Sequence, residues 1–203
     1  MTTEPTDNAK PMCCAPGDLA SCTIMTAEER RIADLKANLP EGKKTALGLY
    51  VTAKEAYAKW QTAPDQVKII DVRTPEEYLF VGHPTMAWKI PVAVQVYEWD
   101  AEKKQYPLKP LMDFVARVQT MAKPEDTLMV MCRSGGRSAM AVNALAKAGF
   151  KHVHNIVDGM EGDANADSDS VAKAQPLKDG WKNAGCPWTK KLTPDRMVLP
   201  KVQ

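Results

Sequence analysis

Residues 127–149 read TLMVMCRSGGRSAMAVNALAKAG. TLMVMC is a short apolar run of strand length. SAMAVNALAKAG is an Ala-rich segment at helical spacing, closed by Gly149 in C-cap position. Between strand and helix lies a loop that holds one cysteine, two arginines and two glycines: Cys132, Arg133, Ser134, Gly135, Gly136, Arg137 and Ser138. In open α/β sheets, ligands bind beyond the carboxyl ends of strands, where such loops lead into helices.

The same alternation extends on both sides. Upstream, VKIIDV (67–72) is a β-branched apolar run, and TPEEYLF (74–80) follows with Thr74 as N-cap and Pro75 at the first helical position. Thr52 with Glu55 forms a capping box that opens the helix AKEAYAKWQ (53–61). WKIPV (88–92) is a shorter candidate strand, and residues 95–109 are an excursion with aromatics and lysines but no clear period. PLMDFVARVQTMA (110–122) places Leu111, Phe114, Val115, Val118 and Met121 on one helical face, and Pro124 and Asp126 stop it. Downstream, HVHNIV (152–157) is the last strand, with Gly159 and Gly162 flanking the next turn. Short apolar strands alternating with helices predict an α/β fold, a parallel sheet with helices on both faces.

The chain's 203 residues suit one domain with appended segments. A domain of that size buries roughly 70% of its unfolded surface and needs no disulfide or metal support. Apolar residues make up 44% and charged residues 26%, with a net charge of +2. That balance gives no electrostatic case for a nucleic-acid or membrane partner. No apolar stretch reaches the ~18 residues that span a bilayer. The N-terminus, MTTEPTDNAKPMCC, lacks the basic start and apolar run of a signal peptide, which points to a cytoplasmic chain unless a leader has been trimmed away.

Residues 1–25 read as a loosely draped arm. TAEERRIADLKANLP (26–40) is a helix outside the main fold, with Thr26 and Glu29 as capping box. The expected organisation is an N-terminal arm and helix over 1–45, a main α/β domain over 46–190 that holds the cysteine loop and a C-terminal tail over 191–203. Residues 163–175, rich in Asp, Ser and Ala, read as a solvated loop.

The five cysteines are Cys13, Cys14, Cys22, Cys132 and Cys186, an odd count that argues for a working thiol over a disulfide framework. The spacing of Cys13, Cys14 and Cys22 fits no zinc pattern built on CxxC pairs. The three thiols on the arm leave three roles open, a metal site, a disulfide with Cys132 or with each other, or an acceptor that resolves an adduct on Cys132, while Cys186, beside Pro187 and Trp188, reads as packed. At Cys132 the loop can wrap the sulfur with backbone N–H groups and aim a helix N-terminus at it, an anion site that lowers a thiol's pKa. Gly135 and Gly136 permit the turn, and Arg133 and Arg137 supply donors for an oxyanion.

These residues carry a resemblance. CRSGGRS after an apolar strand resembles the active-site loop of rhodanese-family sulfurtransferases. In chain order, DVRTPEEY (71–78), VGHPTMAWKIPV (81–92), IVDGMEG (156–162) and GWKNAGCPW (180–188) are similar to further segments of that family, over about residues 50–190. The family's Gly-His-Ile-Pro-Gly-Ala run is replaced here by GHPTMAWK, so His83 is expected to sit differently, and His83, His152 and His154 read as structural or solvated.

The resemblance implies a rhodanese-like sheet, mostly parallel with about five strands. It also implies sulfur transfer through a Cys132 persulfide, with no cofactor and no metal. The partners would be a small anionic donor such as thiosulfate, and a thiol, cyanide or sulfur-acceptor protein. Backbone N–H groups of 133–138 would hold the persulfide, Arg133 and Arg137 would orient the donor, and Asp71 and Arg73 would brace the site or simply support the fold. The rivals are a persulfide carrier or docking module without turnover, and a cysteine phosphatase. The phosphatase loop has five residues between Cys and Arg, whereas four separate Cys132 from Arg137. Trp88, Tyr97, Trp99 and Tyr106 are candidates for the mouth of the site, and equally for core or lid.

Overall fold

The computed structural model describes residues 26–163 and 179–200. The expectations for residues 1–25, including Cys13, Cys14 and Cys22, and for most of the loop at 163–175, lie outside the described residues. Helix α1 (Ala27–Ala37) begins with the expected Thr26–Glu29 capping box. It is tied to the body by Lys36–Glu55 at 2.8 Å and Arg31–Asp179 at 2.7 Å.

The body starts at strand β1 (Tyr50–Val51) and helix α2 (Ala53–Thr62), whose N-terminus carries the Thr52–Glu55 capping box. Strand β2 (Val67–Asp71), helix α3 (Pro75–Phe80), strand β3 (His83–Pro84) and strand β4 (Trp88–Lys89) follow. Next come strands β5 (Ala93–Gln95) and β6 (Leu108–Pro110), helix α4 (Phe114–Gln119) and strand β7 (Thr127–Met131). Helix α5 (Gly136–Lys147), strand β8 (Val153–Ile156) and strand β9 (Trp188–Thr189) complete the order.

The central sheet has five strands in the order β1-β8-β7-β2-β4, and every pairing in it is parallel. Both of its faces are covered, which is why Ile69 and Ile70 of β2 and Leu128 to Met131 of β7 are apolar in succession rather than in alternation. Leu128 and Val130 of β7 point with Ile70 into a core beneath α4 and α5, built on Phe114, Val118, Val142 and Leu145. Met129 and Met131 point the other way with Ile69, onto Ala53, Ala56 and the fully buried Trp181.

Three elements differ from the sequence reading. The aperiodic excursion forms an antiparallel pair, β5 with β6, extended by an Asp100–Gln105 bridge. Helix α4 is only six residues long, because Pro110 belongs to β6 and Leu111 N–H extends the β5–β6 pairing by donating to the Val92 carbonyl at 2.9 Å. Helix α5 begins at Gly136, so the second loop glycine is already helical. Residues 197 and 198 run along the open edge of β4, where Val198 N–H donates to the Lys89 carbonyl at 3.0 Å. None of the described helices is long and apolar enough to cross a membrane.

In-register pairing of Asp71 with Met131 sets the ends of β2 and β7 side by side. Just past that end, Arg73 and Asp71 form a fully buried ion pair, with Arg73 Nη2 donating to Asp71 Oδ2 at 2.7 Å and to the Gly82 carbonyl at 2.6 Å. Burial would depress the guanidinium's pKa, but the Asp71 carboxylate outweighs it and holds Arg73 above its ordinary value. Breaking such a pair leaves an uncompensated buried charge. Asp71→Asn is therefore expected to destabilise the fold by about 3–5 kcal/mol, measured as the loss of unfolding free energy in urea.

Candidate active site

Cys132 follows β7 directly and is 2% exposed. Gly135 N–H donates to its Sγ at 3.2 Å, and Ser138 Oγ stands 3.5 Å from the same atom. Gly135 is the N-cap of α5 with φ +100°, so the helix starts under the sulfur. The first amides of a helix have no acceptor within it and carry the positive end of its dipole. Those of Gly136, Arg137 and Ser138 occupy that turn.

A second turn, residues 157–161, packs against the loop backbone to backbone. A Cβ on Gly135 would stand 2.4 Å from the Val157 carbonyl oxygen, and one on Gly159 would stand 2.5 Å from that of Arg133. With no Cβ at either place, Met160 N–H donates to the Cys132 carbonyl at 2.8 Å and Glu161 N–H to that of Arg133 at 3.0 Å. Asn155, buried at the end of β8, donates through Nδ2 to the Gly135 carbonyl at 3.1 Å and to that of Lys43 at 3.0 Å. Asp158 anchors the turn from the other side, accepting from Ala53 N–H at 2.8 Å and Gly180 N–H at 3.2 Å. Burial nevertheless outweighs these donors and pushes the Asp158 carboxyl up to about 6.

At the rim, Arg137 makes a two-pronged ion pair with Glu77, both nitrogen–oxygen distances being 2.6 Å. Burial raises the Glu77 carboxyl, but Arg137 outweighs it and holds that group below its ordinary value. Burial likewise works against the Arg137 charge, and Glu77, with a smaller contribution from the nearby Cys132 sulfur, lifts it above the ordinary range. Arg133 is exposed and Ser134 half-buried. A cavity of about 440 Å³ opens beside Arg137 and Glu77, walled on its far side by Gln105, Tyr106 and Leu108 of the β5–β6 excursion.

Of the aromatics expected near the mouth, Tyr106 lines this cavity and meets Trp99 edge-on, with ring centroids 5.2 Å apart. Tyr97 donates its hydroxyl to Glu76 at 2.6 Å, whereas Trp88 packs on the core. His83 is buried and edge-on to Tyr78, with Nδ1 3.0 Å from the Pro84 carbonyl, and burial holds its pKa below the ordinary value. Cys186 is also buried, its thiol pushed up to about 11 by desolvation.

The loop, the turn beneath it and the parallel sheet can be set beside known proteins. Residues 52–166 match the rhodanese-like domain. The chain belongs to the rhodanese-like domain family. Among the relatives of this rhodanese-like domain protein, RC0915 of Rickettsia conorii is 30% identical over 124 residues, 61% of this chain and 84% of that one. The senescence-associated protein DIN1 of Raphanus sativus is 30% identical over 138 residues, 63% of this chain and 70% of its own. The crystal structure of Rv0390 from M. tuberculosis shares the fold, with a TM-score of 0.54 and 23% identity, covering 73% of this chain and 100% of the other. The family includes sulfurtransferases, and many of its members are not catalytic.

Sequence reasoning missed Glu77, Asn155 and Asp158. Thr74 and Glu77 stand at capping-box spacing, so Glu77 had a local signal, though not one for its bond to Arg137. Asn155 interrupts an apolar strand, which is itself a sign of a buried polar group with committed partners.

The Asp158 shift has a signed consequence. Its folded pKa lies above the ordinary carboxylate value, so its stabilising contribution is full below that value and is lost as pH rises through about 6. Unfolding free energies of wild type and Asp158→Asn, measured from pH 4 to 7, should diverge in favour of the variant by at most about 3 kcal/mol.

Proposed function

We propose that this rhodanese-like domain is a sulfurtransferase that carries sulfane sulfur on Cys132. The observation that carries this reading is the sulfur's setting: a thiol at a strand end, held by Gly135 N–H at 3.2 Å and set at the N-terminus of a twelve-residue helix. That arrangement favours negative charge on a sulfur adduct.

In the first half-reaction the Cys132 thiolate attacks the outer sulfur of an anionic donor such as thiosulfate. A bond forms between Sγ and that sulfur, the outer sulfur–sulfonate bond breaks, and sulfite leaves with the electron pair. The amides of residues 133–138 receive the persulfide, and Arg133 and Arg137 steer the donor. In the second half-reaction cyanide carbon, or a thiolate of a small molecule or protein, attacks the outer sulfur. The Sγ–sulfur bond breaks, thiocyanate or a new persulfide leaves, and the Cys132 thiolate returns. Asp71 and Arg73 brace the loop from the adjoining strand end.

A second reading has its own support. Cys132 is 2% exposed and Arg137 is already paired with Glu77, features that suit a persulfide carrier without significant turnover. Thiocyanate formation from thiosulfate and cyanide separates the two. The expected outcome is turnover by wild type and its loss, by at least about a thousandfold, in Cys132→Ala. Turnover that survives the substitution would overturn the assignment. A wild-type protein that gains one sulfur atom by mass spectrometry but makes no thiocyanate would be the carrier.

A further inference from the structure

The Ser138 hydroxyl lies beside the Cys132 sulfur, and its proton has one place to go. Asn155 is fully buried, and its amide nitrogen faces the carbonyls of Lys43 at 3.0 Å and Gly135 at 3.1 Å. Both are acceptors only, so the amide group has one orientation that satisfies them. Oδ1 then faces Ser138 Oγ at 2.7 Å. An amide oxygen cannot donate, and at that distance two acceptors facing each other would repel. The hydroxyl therefore gives its single proton to Asn155.

What Ser138 presents to Sγ, 3.5 Å away, is a lone pair. The geometry points to Asn155 as a positioning residue that fixes the Ser138 proton, making Ser138 an acceptor from the Cys132 thiol instead of a donor to its thiolate. The inference rests on Cys132 being the sulfur-carrying thiol. Within that reading it divides the labour of the loop. Gly135 N–H supports the sulfur in either charge state, while Ser138 supports only the protonated one.

The same amide joins three pieces of chain. Lys43 lies ahead of the family-matched region, which begins at residue 52. Its Nζ donates to the Val157 carbonyl at 3.0 Å, so Asn155 and Lys43 clasp the loop and the turn together. A purely structural clasp would account for the two Nδ2 bonds. It would not account for a direction of proton donation at Ser138.

That direction has a measurable sign. The pH dependence of Cys132 alkylation by iodoacetamide, followed on the peptide that carries Cys132, needs no sulfurtransferase activity. Failure of the sulfur-transfer reading therefore leaves this test intact. In Ser138→Ala the lone pair is removed, and the midpoint should move to lower pH by roughly half to one unit. A move to higher pH, or none, would overturn the inference, because a donating Ser138 predicts the opposite sign.

In Asn155→Ala the hydroxyl is free to turn to the sulfur, and the midpoint should again fall. Adding Ser138→Ala to that background should then raise the midpoint, a reversal of sign that loss of packing alone does not produce. If Asn155→Ala does not fold, the Ser138→Ala shift alone decides.

Discussion

Everything about the sulfur's position depends on one close approach, that of the loop 132–135 to the turn 157–161. The two backbones meet where Gly135 and Gly159 have no Cβ, at distances that would put one within 2.5 Å of a carbonyl oxygen on the other side. Because β7 and β8 are parallel neighbours, their carboxyl ends emerge together, and the chain after each must share the same space. Glycine at both contacts lets the turn donate two amides to the loop, and the loop in return aims its own amide at the sulfur. The geometry at Cys132 is set by main chain before any side chain contributes.

The charges near the site follow a related logic. Arg73 is sealed against Asp71, Arg137 is held by Glu77, and Lys43 reaches Asp163 at 2.7 Å. Buried or half-buried cations are tolerable only with such partners. In the proposed sulfur transfer, attraction for an anionic donor would therefore come first from the helix N-terminus and from the exposed Arg133. An incoming anion that engages Arg137 does so beside, or in competition with, a carboxylate already in place.

The central strand, loop and helix were legible because each rests on local signals: an apolar run buried on both faces, a glycine loop, and an Ala-rich helical face with a C-terminal glycine. The all-parallel sheet followed from their alternation. What could not be read depends on partners distant in sequence. Glu77 and Arg137 are 60 residues apart, and Asn155 meets Lys43 across 112. The β5–β6 pair escaped because its strands are three residues each and take their order from the mouth of the fold instead of a hydrophobic period. Helix α4 was overextended for a comparable reason: a tertiary hydrogen bond at Leu111 overrode a pattern that favoured helix.

The chain along the edge of β4 bears on where this molecule's independent unit ends. Met197 bridges Lys89, Val198 bonds to the same residue, and Arg117 reaches the Val198 carbonyl at 3.1 Å, so the outermost strand has no bare flank there. Trp181, at the centre of one core, also lies past residue 166, where the family-matched region stops. The family-matched span is thus less than the packed unit. Excised at 52–166, it would lose a core tryptophan, the clasp from Lys43 and the cover of an edge strand, and would offer that edge to other chains as a template for pairing.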